Sequence, residues 1–135
     1  MEKWRSHSLV LKQYPESMSD LKKLTKEIIA FRDARDWKQF HNPKDLALSL
    51  AIEMGEVLEH FQWKSAEDVA AHTRDHRDEI GAELADVLTY LIYLADATGV
   101  DLIKATREKM EKNAKRYSIQ KIKGKHTNKY DKKVG

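Results

Sequence analysis

The phrase running from Glu53 to Phe61, E-M-G-E-V-L-E-H-F, returns thirty residues later as E-L-A-D-V-L-T-Y-L, Glu83 to Leu91. Each copy sets two carboxylates three residues apart within a stretch whose apolar residues recur at three and four. That spacing draws one face of an α-helix, so the chain must build two helices that are apolar on one side and acidic along its edge. On a wheel that advances about 100° per residue from Glu53, the residues Leu46, Leu50, Ala51, Met54, Val57, Leu58 and Phe61 fill an arc from about +20° to about +160°, with Glu56 at about −60°. Counted from Glu83, the residues Ile80, Leu84, Val87, Leu88, Leu91 and Leu94 fill an arc from about +20° to about +140°, with Asp86 at about −60°. Packing these arcs together sets Glu53, Glu56, Glu83 and Asp86 on the rim of one seam. Four partly desolvated anions held close raise one another's pKa unless a cation lies between them.

The choice of cation follows from the ligand chemistry. The chain contains no cysteine, and the phrase supplies oxygen ligands alone, which suits a hard ion such as Mg²⁺, with Mn²⁺ as a substitute. Mg²⁺ is usually held by a few carboxylates together with waters and substrate phosphates, so the pattern points to phosphate chemistry. A di-iron carboxylate bundle would need Glu-x-x-His on inward faces. Here His60 is four after Glu56 and one after Glu59, and Tyr90 stands where the second histidine would be required. An acidic pair on a helix ordinarily faces water or a lysine; two copies at matching wheel angles in the most apolar segments set these four apart.

Helical punctuation is legible along the rest of the chain. Ser19 caps a first helix over about 20–36, and Asn42-Pro43 reads as N-cap and first position of a second helix to about Gln62. Ser65 with Asp68 opens a short helix over 66–73, a further helix runs from about Arg74 to Thr98 and stops at Gly99, and Asp101 opens one to about Tyr117. Strand alternation is weak throughout, so the expected fold class is all-α, a four-helix bundle. At 135 residues the chain accommodates one domain, expected over 19–117 between an N-terminal extension, 1–18, and a Lys-rich flexible tail, 118–135. That tail carries six lysines against Asp131 alone, although the whole chain is only +3. Mixed charge elsewhere, without aromatic-basic interleaving, weighs against a nucleic-acid binder. No apolar run approaches the ~20 residues of a membrane span, and with no cysteine and no apolar N-terminal run a cytoplasmic protein is expected.

With these features in place, the chain resembles the all-α nucleoside triphosphate pyrophosphohydrolases of the MazG-like superfamily, most closely the dCTP pyrophosphatase branch. The resemblance rests on four blocks: R-D-W-K-Q-F-H-N-P before the second helix, E-M-G-E-V-L-E-H-F-Q-W-K, E-L-A-D-V-L-T-Y-L, and D-L followed by K-M-E-K-N-A-K-R-Y. Together they span about 28–117. One departure is Ser118, which follows R-Y where relatives often carry proline.

The resemblance implies a Mg²⁺-dependent enzyme that cleaves a deoxynucleoside triphosphate, dCTP or a modified dCTP, between the α- and β-phosphates, cleansing the nucleotide pool. It assigns Glu53, Glu56, Glu83 and Asp86 to the metal, with Glu53 or Glu56 accepting the proton of the attacking water. It implies a nucleoside site lined by Trp37, His41, Trp63 and Tyr90, and phosphate contacts from Lys109, Asn113, Arg116 and Tyr117, with Lys64 as a looser candidate. It also implies a homodimer or homotetramer. The competing reading, from a different class, is a non-catalytic helical interaction module whose acids make salt bridges and whose basic tail binds an acidic partner or nucleic acid.

Overall fold

The computed structural model describes residues 14–125, so residues 1–13 of the extension and 126–135 of the tail lie outside the described residues. Helix α1 (Asp20–Asp33) starts where the Ser19 hydroxyl oxygen accepts the Lys22 N–H. It stops three residues before the expected Asp36, because Asp36 is left-handed at φ 54°, a conformation that aspartate tolerates better than most residues. The reversal leads into a 3₁₀ turn over Trp37–Phe40, pinned by the Gln39 amide donating to the Asp36 carbonyl and carboxylate.

Helix α2 (Pro43–Glu59) opens with the Asn42 side chain accepting the Asp45 N–H at 2.9 Å and Pro43 in the first turn, where its missing N–H costs nothing. It ends before the expected Gln62: the Phe61 and Gln62 amides both fold back onto the Leu58 carbonyl, and Trp63 is left-handed at φ 64°. Helix α3 (Ala66–Asp75) is capped by Ser65, which accepts the Asp68 N–H and donates to the Asp68 carboxylate. The break into α4 (Arg77–Thr98) falls at His76. At the far end of α4, Gly99 sits at φ 70°, its N–H on the Asp96 carbonyl and that of Val100 on Ala95, which is the Schellman closure that a glycine permits. Helix α5 (Leu102–Arg116) is capped by Asp101, and a short α6 (Ile119–Ile122) lies within the segment expected to be flexible.

The described residues are helical with no strand, as the sequence pattern required. The main packing is α2 on α4, with α1 and α3 set against α4. His41, just before α2, lies against Tyr93 late in α4, whereas Glu53 and Glu56 late in α2 meet Glu83 early in α4, so the two helices run antiparallel. Leu46 and Val57 of α2 and Ile80, Ile92, Tyr93 and Ala95 of α4 fill the seam, each large aliphatic side chain contributing roughly 1.5–3 kcal/mol of transfer free energy. The apolar arc of α2 is wider than α4 covers, and Met54 and Leu58 remain exposed, as do Leu48 and Ile52. Helix α5 packs extensively on none of the other helices. A cavity of about 1050 Å³ separates it from α1 and α4, lined by Leu21, Ile29, Leu88, Leu91 and Ile103 among others. Among the described residues no helix is long and apolar enough to cross a membrane.

Candidate functional site

Two regions of the α2–α4 seam gather polar side chains that a bare core would not contain. At one, carboxylate oxygens of Glu53, Glu56 and Glu83 lie within 4.8 Å of one another. The doubled phrase produces this directly: i, i+3 spacing sets Glu53 and Glu56 on one edge of α2, and antiparallel packing turns the Glu83 edge of α4 toward them. Asp86 stands outside this tight group, but its charge reaches both Glu53 and Glu83. The Glu83 carboxyl is pushed above the usual carboxylate range, first by its hydrogen bond with Glu56, then by burial and by the charges of Glu56, Asp86 and Glu53. The Glu53 carboxyl is raised as well, by burial and by the charges of Glu56 and Asp86. Like charges crowded on one seam contribute to both shifts, and a divalent cation held by these oxygens would offset them. The donor set fits a divalent ion.

One wall of this region is a cavity of about 300 Å³ lined by Glu56, Glu59, His60, His72 and Glu83. The two imidazoles face each other, His60 Nδ1 lying 2.9 Å from His72 Nε2. His76 stacks on His72 with ring centroids 4.3 Å apart, and its own Nδ1 lies 3.4 Å from a Glu79 oxygen.

Twelve to fifteen residues back along α2 and ten on along α4, a second cluster forms. The His41 ring lies 4.8 Å from that of Tyr93, which meets Tyr90 edge to face at 5.9 Å. His41 Nδ1 is buried without a hydrogen-bond partner. Burial, then the charge of Arg32, lowers the His41 pKa, so the ring is neutral at pH 7 and offers a free nitrogen. Arg32, only 2 % exposed, lies over the Tyr93 ring and is held by Asp96 at 2.6 Å and Asp33 at 2.7 Å. Burial opposes its charge, and the hydrogen bonds it donates to these two carboxylates, with their charges, more than offset that, raising its pKa. Burial also pushes up the Tyr93 hydroxyl.

The remaining expected residues are dispersed. Trp37 sits on the 3₁₀ turn, packed edge-on against Phe31 at 5.9 Å, with the Arg35 guanidinium covering Phe31 at 3.5 Å. Trp63 is 93 % exposed at its left-handed position and lines neither cavity. Lys64 is half-buried and close enough for its charge to act on His72. Lys109, Asn113, Arg116 and Tyr117 follow one another along and just past α5, Arg116 resting over the Tyr117 ring at 5.3 Å, and none of them lines the acidic cavity.

Sequence reasoning did not single out Arg32, Tyr93, Asp96 or His72. A signal existed for three of these. Arg32 is four after Ile28 and three after Ile29, on the apolar face of α1; Tyr93 follows the buried Ile92 and is itself buried, and Asp96 lies three further on, its side chain partly exposed. A charged residue in a core register calls for a partner. His72 carried no such mark, since its place depends on how α3 folds back beside the end of α2.

Comparison with known proteins places the chain in a family. The MazG-like family matches residues 48–131, a span that includes both acidic phrases. The chain is 40% identical over 110 residues to dCTP pyrophosphatase 1 of Rattus norvegicus, covering 80% of this chain and 63% of that protein. It is 40% identical over 103 residues to dCTP pyrophosphatase 1 of Homo sapiens, covering 75% of this chain and 59% of that one. The chain therefore spans less than two thirds of the length of these relatives. A solved pyrophosphatase from Archaeoglobus fulgidus superposes with a TM-score of 0.71 at 36% identity, covering 78% of this chain and 99% of that chain. With the family matched across more than half its length, and a solved relative of this identity matched nearly end to end, the chain belongs to the MazG-like family.

Proposed function

We propose that the chain is a Mg²⁺-dependent nucleoside triphosphate pyrophosphohydrolase, acting on dCTP or a modified dCTP to release the nucleoside monophosphate and pyrophosphate, and so cleansing the nucleotide pool in the cytoplasm. The observation that carries this reading is one stripe of α4. Glu83, Asp86, Tyr90 and Tyr93 follow at i, i+3, i+7 and i+10, which is one face of a helix and about 15 Å of its length. Its first half lies by the carboxylates of α2 and its second half by His41. An elongated ligand with an anionic end and an aromatic end has this form.

Mg²⁺, with Mn²⁺ as substitute, would be held by Glu53, Glu56, Glu83 and Asp86, supplying positive charge against the phosphate oxygens and activating water. The chain's own residues do the rest. Water attacks the α-phosphorus, the bond from that phosphorus to the α–β bridging oxygen breaks, and pyrophosphate leaves with the bridging oxygen. Glu53 or Glu56 accepts the proton of the water, a role helped by the partial burial of Glu53. Tyr90 and His41 pack against sugar and base, the unpaired His41 nitrogen meeting a base edge, while Trp37 and Trp63 offer faces for stacking. Lys109, Asn113 and Arg116, at i, i+4 and i+7 of α5, meet the outer phosphates together with Tyr117 and Lys64. The exposed apolar residues of α2 and α4 and the open groove beside α5 support assembly as a homodimer or homotetramer, in which α5 of one copy can serve the site of another.

The test is product analysis of the purified chain with each common dNTP and NTP, with Mg²⁺ and with EDTA. The expected result is pyrophosphate and monophosphate, only with metal and fastest from dCTP. Stepwise release of single phosphates, or no turnover, overturns the reading and favours the non-catalytic interaction module.

A further inference from the structure

Arg32 is the one charged side chain buried among the described residues, 2 % exposed near the end of α1. Its Nη1 donates to Asp96 at 2.6 Å, and its Nε and Nη2 both reach one oxygen of Asp33, at 2.9 and 2.7 Å. Stability alone does not account for a guanidinium here. A buried ion pair can often be replaced by apolar side chains of similar volume with no loss, because packing without charge avoids the desolvation cost. What the charge does provide is fixed geometry: carboxylates on two helices, α1 and α4, hold one planar group in one orientation.

That group lies over the Tyr93 ring at 5.9 Å, and Tyr93 in turn packs on the His41 ring at 4.8 Å. His41 depends on this support. Its Nδ1 is buried and makes no hydrogen bond, so no bond at that nitrogen sets the ring, and packing on Tyr93 does. Phe31, the chain neighbour of Arg32, packs edge-on against Trp37 at 5.9 Å. Two of the groups assigned to the nucleoside thus lean, through one residue each, on the place where Arg32 ties α1 to α4.

We propose that Arg32 is a positioning residue for the nucleoside end of the site: its guanidinium, held by Asp33 and Asp96, fixes the Tyr93 ring and through it the place at which His41 meets the base. The inference rests on the nucleotide reading proposed above and adds to it a residue that acts through Tyr93. Burial, and then the Arg32 charge, keep His41 below the usual histidine range, so the ring held in place is uncharged at neutral pH. The acidic end lies about 15 Å away along α4, so loosening the clamp acts on the base and spares the phosphates.

Steady-state kinetics of the full chain with dCTP and Mg²⁺, at a temperature where every variant is folded, test it. Arg32→Met and Asp96→Ala are each expected to raise KM roughly tenfold with kcat changed less than about twofold, which marks lost binding and not lost chemistry. Inhibition by pyrophosphate, which has no base, should change less than about twofold in both. The double variant should be no worse than Arg32→Met, since the clamp is already gone. A merely structural role predicts a different order: Asp96→Ala, which strands the buried charge, would suffer more than Arg32→Met, and pyrophosphate inhibition would weaken in step. Because a variant can lose its fold, the unmutated chain gives an independent reading: saturating dCMP should shift the Arg32 Nε–H resonance, and pyrophosphate should not. Unchanged KM in folded Arg32→Met, equal losses for dCTP and pyrophosphate, or an Arg32 resonance unmoved by dCMP overturns the proposal. Turnover by the parent chain with any of these results overturns this inference alone, whereas a parent chain that hydrolyses no nucleotide overturns the hydrolase reading as well.

Discussion

Replacing Asp96 by alanine should destabilise the chain more than removing the arginine it binds. Arg32 is 2 % exposed, while the side chains of its partners remain partly in water, Asp96 at 40 % and Asp33 at 50 %. Asp96→Ala deletes the 2.6 Å charge-assisted bond across 64 residues of sequence and leaves a buried guanidinium with Asp33 alone. Breaking a fully buried ion pair costs about 3–5 kcal/mol. Here the second carboxylate remains through two contacts, so the loss is nearer one charge-assisted hydrogen bond, about 2 kcal/mol. For a domain of this size that corresponds to a fall in Tm of about 8 °C. Arg32→Met removes the buried charge and returns two half-exposed carboxylates to water, and is expected to cost less than about 1 kcal/mol. The assay is urea unfolding of both single variants and the double variant. In the Arg32→Met background, Asp96→Ala should be close to neutral, giving a coupling of about 1.5–2 kcal/mol. If Asp96→Ala costs the same in both backgrounds, or under about 0.5 kcal/mol in the first, the buried-charge account is wrong.

Glu83 has a folded-state pKa above its unfolded value, so the fold favours its protonated form: this stabilisation is full below the unfolded pKa and lost as pH rises through the folded one. Glu83→Gln should therefore raise the Tm of the metal-free chain at neutral pH, with the gain vanishing below about pH 4, and a pH series of melts showing no such convergence would contradict it. Gly99→Ala should cost about 1–2 kcal/mol, all of it backbone, because Gly99 is left-handed and an added Cβ meets nothing within 4 Å; a melt at the parent temperature would refute this. Trp63→Ala should move stability by less than about 0.5 kcal/mol given its exposure, yet raise the KM for nucleotide if the ring stacks on the base, and an unchanged KM removes Trp63 from the nucleoside site.

What could be read in advance was whatever the chain specifies within one or two helical turns. Ser19, Asn42, Ser65 and Asp101 each satisfy a backbone N–H three residues ahead, and Gly99 closes α4 by a bond pattern that its own φ permits. Helix ends set by turns were less legible. Asp36 and Trp63 adopt positive φ without being glycine, and each cut short a helix that periodicity would have continued. The acidic edges were legible because two sequence copies shared one wheel angle, although only three carboxylates close into a tight group. Asp86 is one turn further along α4 than Glu83, and how near it comes depends on how the two helices cross. The place of α5 was not legible either, since its helical spacing says which face is apolar and nothing about which surface takes that face.

The interactions that sequence spacing missed are long-range and polar, and they gather at the two clusters along the seam. Arg32 is buried on α1 and reaches the partly exposed Asp96 on α4, and His60 and His72 meet only because the chain reverses after Glu59 and returns through α3. Apolar periodicity has no means of choosing partners among polar residues, because burial rewards any apolar contact whereas a buried charge is tolerated only beside one particular opposite. The α2–α4 seam is thus specified generically by its apolar arcs, and its two polar clusters specify its register. Sliding α2 by one turn along α4 would still leave apolar side chains against apolar side chains, but it would carry His41 away from Tyr93 and Glu53 away from Glu83. A cation shared by both helices at the acidic cluster would hold that same register, coupling ion binding to the alignment of the aromatic cluster about 15 Å away.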